Sequence, residues 1–380
     1  MVAYYTGRMS DWTRFPENLA DRCVKCAQCL SSCPTWRLDG DEAESPRGRV
    51  ALMLSATGGL VPTDDSVLRH LDQCTQCGHC EPVCPAEVPY RALIVAARVA
   101  TGAAGRAPWT ARLLRWAVAS PRGFNAVVVP LLRAWSRLPR ALRHPLLRRT
   151  TAAPATGRYA PTGTPNGETV SLFLGCVARA VDGDTLSGAL AALRAAGFEV
   201  EIPAAQGCCG ALHVHAGAPA TGRALAGRNA RAFTGGHRIV SCASGCAPEL
   251  RATFGARVVD VSHLLPPARV PTAGVVLHVP CTQATVPGDA AAAAAALPGA
   301  RVLPSRGRCC GAAGEYVLQQ PALAARLREQ VLGDVGDAAV LCTSNPGCAM
   351  HLRAGLAARG AGTRVVHPVL EWLRAERPTA

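Results

Sequence analysis

Eight cysteines fall in two runs of identical spacing, Cys23-x2-Cys26-x2-Cys29-x3-Cys33-Pro34 and Cys74-x2-Cys77-x2-Cys80-x3-Cys84-Pro85. Three thiols two residues apart lie on one loop that can wrap a metal centre, each binding a different metal atom. The fourth, a turn further on and stopped by proline, is carried off that loop and can reach a neighbouring centre. Whether these thiols are ligands or disulfide partners depends on compartment, and here composition matters. Met1 to Phe15 has polar and charged residues where a secretory signal would be apolar, and no uncharged run matches a membrane span, the best being Val127 to Leu132. The chain is therefore expected to be intracellular, where 18 cysteines point to metal. With 380 residues, 49% hydrophobic and 17% charged, it can bury the cores of two or three domains, which excludes disorder as its main state.

The spacing matches the bacterial two-cluster ferredoxin run. By its logic Cys23, Cys26, Cys29 and Cys84 hold one [4Fe-4S] cluster, and Cys74, Cys77, Cys80 and Cys33 hold the other. Zinc sites need only two Cys-x2-Cys pairs and would leave the third and fourth cysteine of each run unexplained. Between the runs, Ser45-Pro46-Arg47-Gly48-Arg49 leads into the apolar Val50 to Leu54, the pattern of a capped helix start. A helical insertion there resembles the α-helical ferredoxin domains of succinate dehydrogenase-type iron-sulfur subunits.

The C-terminal half is an internal repeat. Strand-like Thr169 to Leu174 ends in Gly175-Cys176, and Val275 to Val279 ends in Pro280-Cys281. Cys208-Cys209-Gly210 and Cys309-Cys310-Gly311 follow, then Ser244-Gly245-Cys246 and Pro346-Gly347-Cys348. Strand-like runs (Arg238 to Ser241; Ala338 to Leu341) alternate with helical stretches (Asp184 to Ala196; Pro321 to Leu332). This predicts two α/β modules with mostly parallel sheets, their cysteines in loops at the C-terminal strand edge, where such sheets bind ligands. The expected fold is α+β overall: an α-helical ferredoxin domain over 1–105, a basic amphipathic helical segment and linker over 106–167, and two repeated α/β Cys-Cys-Gly domains over 168–270 and 271–380.

Adjacent cysteines on a strand would point to opposite faces. In a turn beside glycine both can face one centre, and a helix starting just after would direct its amides at an anionic cluster. Two ferredoxin runs followed by two such motifs, with SPRGR at 45–49, GCCGA at 207–211, ASGC at 243–246, HVPC at 278–281, RCCGAAGEY at 308–316 and SNPGC at 344–348, resemble the iron-sulfur subunit of glycolate oxidase (glycolate dehydrogenase). More distant likenesses are to the third subunit of anaerobic glycerol-3-phosphate dehydrogenase and to heterodisulfide reductase subunits. The resemblance implies one further iron-sulfur cluster per Cys-Cys-Gly domain, bound by Cys176, Cys208, Cys209 and Cys246 and by Cys281, Cys309, Cys310 and Cys348. The heterodisulfide reductase pattern ends in Cys-x2-Cys, whereas this chain has Cys242-x3-Cys246 and Cys342-x5-Cys348. Cys242 and Cys342 are either extra ligands or buried small residues at strand ends, the reading we favour.

No Gly-x-Gly-x-x-Gly joins a strand to a helix, so neither NAD nor flavin is expected on this chain, and no catalytic residue is assigned. The ten histidines form no constellation, and His213 and His215 read as loop or helix residues. The resemblance places substrate oxidation on a partner flavin-containing dehydrogenase, this chain carrying electrons to a membrane acceptor such as quinone. The competing enzyme reading is disulfide reduction at a Cys-Cys-Gly cluster. The formal charge of +14 lies almost wholly between Glu87 and Glu168, a stretch with thirteen arginines and no acid. Within it, Arg112, Arg115, Arg133, Arg137 and neighbours alternate with Trp109, Leu113, Trp116 and Trp135, which suits a helix lying on an anionic membrane surface as well as an ordinary packed helix pair. The expected location is cytoplasmic, peripheral on the inner face of the cell membrane. Aromatic stacking residues are scarce and no reader motif accompanies the basic stretch, so nucleic acid is not an expected partner.

Overall fold

The computed structural model describes residues 10–120 and 151–376. The N-terminal part is helical around two cysteine loops. Its first long helix, Pro46–Thr57, starts as the sequence requires: the Ser45 side chain accepts from the Gly48 amide, and Pro46 sits where no amide partner is needed. Helices Asp65–Asp72 and Tyr90–Ala100 pack against it around Met53, Leu71, Leu93 and Ile94, all fully buried. Helix Trp109–Ala119 follows, and the remainder of the basic segment, 121–150, lies outside the described residues.

The C-terminal part contains two sheets of the same plan. In the first, β1 (Gly157–Tyr159), β2 (Thr169–Phe173), β3 (Glu199–Ile202), β4 (Arg238–Ser241) and β5 (Val258–Asp260) take the order β1-β3-β2-β4-β5, all parallel except β1. In the second, β6 (Val275–His278), β7 (Arg301–Val302), β8 (Val340–Thr343) and β9 (Arg364–Val366) take the order β7-β6-β8-β9, all parallel. Apart from β1, the strands correspond one to one in sequence and in space. Parallel strands buried on both faces read as continuous apolar runs, as Val275–Leu277 of β6 does, while β2 is buried along most of its length despite Ser171.

The two modules share a core. Leu172, Val200 and Val240 of the first sheet belong to one buried cluster with Leu277, Val340 and Cys342 of the second. The C-terminal helix Pro368–Glu376 leaves the second sheet to cover the first module's helix Gly183–Ala195, where Gly188 leaves room for Leu370 and Leu373. Trp372 closes the joint, its Nε1 donating to the Pro266 carbonyl at 2.8 Å. Each fully buried Leu or Val here contributes about 1.5–3 kcal/mol, so neither module is finished without the other.

Candidate metal centres

Both ferredoxin-type loops curl in the same way. Lys25 and Ala27 take φ of 58° and 71° between the cysteines of the first run, and Gln76 and Gly78 take 54° and 76° at the matching positions of the second. Left-handed backbone is uncommon outside glycine and is kept where the surroundings enforce it. It turns amides toward the thiols, as in Gln76 N–H donating to Cys74 Sγ at 3.4 Å.

The fourth cysteine of the first run, Cys33, lies within electrostatic reach of both runs, acting on Cys29 as well as on Cys77 and Cys80. The Cys77 thiol is pushed up by burial and then by the nearby charges of Cys309 and Cys33, and Cys80 by burial and then by Cys77, Cys74 and Cys33. Cys33 therefore shares the neighbourhood of Cys74, Cys77 and Cys80, all four buried. The other set lies nearer solvent: Cys26 is exposed, and Cys23, Cys29 and Cys84 are half-buried. Cys29 is pushed up to about 11, chiefly by burial, with a backbone hydrogen bond from Arg47 opposing and Cys23 and Cys33 adding.

The SPRGR string holds both loops in place. Arg47 faces outward, pairing with Glu42 at 2.6 Å and donating to the Lys25 carbonyl at 3.0 Å. Arg49 points inward, only 1% exposed, where it pairs with Glu44 and donates to Thr35 Oγ1 at 3.1 Å and to the His70 carbonyl at 2.6 Å. Thr35 Oγ1 in turn sits 3.3 Å from Cys33 Sγ. In the sequence these arginines stand out only as part of a likeness; their roles depend on Glu44, His70 and Thr35.

In the first Cys-Cys-Gly module Cys176 Sγ lies 3.5 Å from Cys208 Sγ, which also hydrogen-bonds Cys209, itself hydrogen-bonded to Cys246. In the second, Cys281 hydrogen-bonds Cys309, Cys309 hydrogen-bonds Cys310, and Cys310 Sγ lies 2.7 Å from Cys348 Sγ. Each expected quartet is thus brought together in loops beyond the C-terminal ends of its strands. Within each, hydrogen bonds from neighbouring thiols, first Cys176 or Cys281, hold Cys208 and Cys309 well below the usual thiol range. Gly210 and Gly311, at φ 96° and 76°, shape the two turns. A Cβ on Gly311 would lie 2.4 Å from the Ala324 carbonyl oxygen.

One expectation holds in only one module. The single-turn helix Ala211–His215 follows Gly210 directly, but after Gly311 the chain runs through a second left-handed glycine, Gly314, and its helix starts at Tyr316. The histidines also sit closer to the chemistry than expected, since buried His213 hydrogen-bonds Cys208. Cys242 and Cys342 are 2% and 0% exposed inside the shared apolar cluster, the behaviour of small core residues.

The second ferredoxin-type quartet meets the second Cys-Cys-Gly quartet. Cys77 is within electrostatic reach of Cys309 and Cys281, and Cys309 of His79, whose ring nitrogens are buried without hydrogen-bond partners among the described residues. Nothing local in the sequence singles out His79, a histidine between two cysteines. Buried quartets of soft thiols suit a thiophilic metal centre, whose positive charge stabilises the thiolates that burial otherwise disfavours.

A family model described as a 4Fe-4S dicluster domain matches residues 19–88, and one described as a cysteine-rich domain matches 170–251 and again 275–353. The chain belongs to this family of dicluster and tandem cysteine-rich iron-sulfur subunits. It is 28% identical to the probable glycolate oxidase iron-sulfur subunit of Bacillus subtilis over 93% of this chain and 92% of that one. Against the glycolate oxidase iron-sulfur subunit of Escherichia coli it is also 28% identical, over 88% and 90%. One chain of the fumarate reductase (CoM/CoB) of Methanothermobacter marburgensis is 25% identical over 92% of this chain and 71% of that one. As in its family, the chain is an iron-sulfur subunit of an oxidoreductase. Clusters in these quartets would take up and release single electrons at potentials set by burial and hydrogen bonding.

Proposed function

We propose that this chain is the electron-transfer subunit of a glycolate or related 2-hydroxy acid dehydrogenase. A partner flavoprotein would oxidise the substrate, and a quinone at the membrane would be the acceptor. Cys23, Cys26, Cys29 and Cys84 would hold one [4Fe-4S] cluster, Cys74, Cys77, Cys80 and Cys33 the second. The Cys176, Cys208, Cys209, Cys246 and Cys281, Cys309, Cys310, Cys348 quartets would each hold a further cluster. The observation that carries this reading is the graded burial of the quartets, from exposed Cys26 to buried Cys77 beside Cys309. That order suits a chain that receives electrons at its surface and conducts them inward.

Peripheral membrane attachment is part of the reading. Among the described residues no helix is long and apolar enough to cross a membrane. Helix Trp109–Ala119 instead leaves Trp109, Leu113 and Trp116 largely exposed on one face while Arg115 turns into the protein. Aromatic residues on a helix inside an acid-free basic segment suit the interface of an anionic bilayer.

The test is anaerobic purification with iron and zinc counts, a visible spectrum and a search for a co-purifying flavoprotein. Iron-loaded, coloured protein whose flavin-containing complex reduces ferricyanide with glycolate is expected. Zinc-loaded colourless protein, or glycolate-independent reduction, would overturn the reading.

A further inference from the structure

A slot of about 620 Å³ opens between helix Tyr90–Ala100 and the two Cys-Cys-Gly modules, within the roughly 300–1,000 Å³ usual for small-molecule sites. Val95, Ala96 and Val99, one helical face, form one wall, and Phe15 and Val214 add to the apolar lining. Polar and charged residues complete the lining: Asp11 and Arg14, close to Phe15 in the chain, and a second set of Gln76, Arg91, His215, Glu249 and Thr282.

That second polar set borders three cysteine quartets along the chain. Gln76 directly precedes Cys77, Thr282 directly follows Cys281, and Glu249 lies three residues beyond Cys246 on the same stretch of chain. The side chains there hold the three parts together as well as lining the slot. Gln76 Nε2 donates to the His215 carbonyl at 2.8 Å, Arg91 donates to the Cys77 carbonyl at 3.1 Å and to Thr285 Oγ1 at 2.8 Å, and Thr282 donates to Ser244 at 3.1 Å.

The donor set narrows the ligand class. Arg91 Nε is buried with no hydrogen bond made, and the Glu81 carboxylate stands 3.5 Å off. Glu249 has its carboxyl raised by burial alone, and His215 is pushed down to about 4 by burial and the charges of Arg98 and Arg91, so its ring is neutral. With Arg91 already matched by Glu81 and with Glu249 across the slot, a small carboxylate would gain little there. An apolar ring carrying oxygen acceptors fits: its body against the valines, its carbonyls toward Arg91, with the Glu249 carboxyl in the same lining able to exchange a proton.

We infer that this slot is the binding site for the ring of a quinone, the acceptor in the reading above, on which the inference rests. The overall exchange balances. Oxidation of a 2-hydroxy acid to the 2-oxo acid breaks its C–H and O–H bonds and releases two electrons and two protons. The quinone takes up two of each, forming two O–H bonds as quinol.

An azidoquinone, photolysed with the anaerobically purified holo-complex and mapped by peptide sequencing, tests the site directly. The label is expected on residues 90–100 or 214–219 and is displaced by unlabelled quinone. Val95→Trp fills the slot, so labelling should fall by about tenfold while the iron count and visible spectrum stay as in the wild type. Val99→Trp, at the half-exposed lip, gives the same direction of change should the deeper variant fail to load iron. Labelling elsewhere, or undiminished in an iron-loaded tryptophan variant, overturns the inference. Glycolate-driven ferricyanide reduction separates the two readings. A complex that reduces ferricyanide but is never labelled here loses the site and keeps the function. One that is labelled here but does not oxidise a 2-hydroxy acid keeps the site and loses the function.

Discussion

Arg115 and Glu315, 200 residues apart in the chain, form an ion pair inside the protein, their side chains 9% and 5% exposed. Arg115 also donates to the Ala104 carbonyl and Gln319 to Glu315, so helix Trp109–Ala119 is fastened to the loop after Cys309-Cys310. Arg115→Met strands a buried carboxylate and should cost about 3 kcal/mol, most of it regained in Arg115→Met/Glu315→Met. Thermal unfolding of the two variants checks this, and equal losses would show that the pair carries no coupling.

The proposed crossing of the ferredoxin-type cysteines makes opposite predictions for two fourth cysteines. Cys33→Ser should remove about four iron atoms from the buried centre, and Cys84→Ser about four from the exposed one. Iron per chain, read together with which paramagnetic signal disappears, distinguishes them. Loss of the same signal in both variants would exclude the crossing.

Cys342 and Cys348 are six residues apart yet should behave differently. Cys342→Ala trims a sealed core site, at a cost of about 1–2 kcal/mol with unchanged iron content. Cys348→Ser should lose iron. Iron loss in Cys342→Ala would instead make that residue a ligand.

Asp260 at the end of β5 is raised from 3.8 to about 6, chiefly by burial, with the neighbouring Asp289 adding and Ser262 and His263 opposing. The folded chain thus holds this proton more tightly than the unfolded chain, so stability is lost as pH rises through about 6. Relative to Asp260→Asn, the wild type should lose about 1–2 kcal/mol between pH 5 and pH 8. Denaturation midpoints of both proteins at the two pH values give the difference, and a wild type that gains on the variant over that range would contradict it.

Replacing Trp109, Leu113 and Trp116 together by serine should release the protein from vesicles containing anionic lipid, since these side chains are the exposed apolar face of the helix. Co-sedimentation measures it, and unaltered partition would remove this helix from the membrane reading. Deleting the whole helix would be a poorer test, because it also removes the buried Arg115.

Much of this is legible because it is local. Ser45-Pro46 sets the start of helix Pro46–Thr57, the Arg238–Ser241 strand stands out at its true ends, and matched offsets reveal that the Cys-Cys-Gly motif occurs twice. The inward turn of Arg49, the place of His79 and the missing helix turn after Gly311 are not legible. Each depends on a neighbour more than ten residues away or on a second glycine's backbone.

By itself, then, the sequence determined the two tight cysteine loops and the twice-repeated βα pattern with its Cys-Cys-Gly turns, since each follows from short spacings along a chain of fixed geometry. Tertiary structure alone decided which quartets adjoin and where they reach solvent. Cys77 lies beside Cys309, and helix Pro368–Glu376 crosses to the first module, because apolar faces more than a hundred residues apart are buried only against each other.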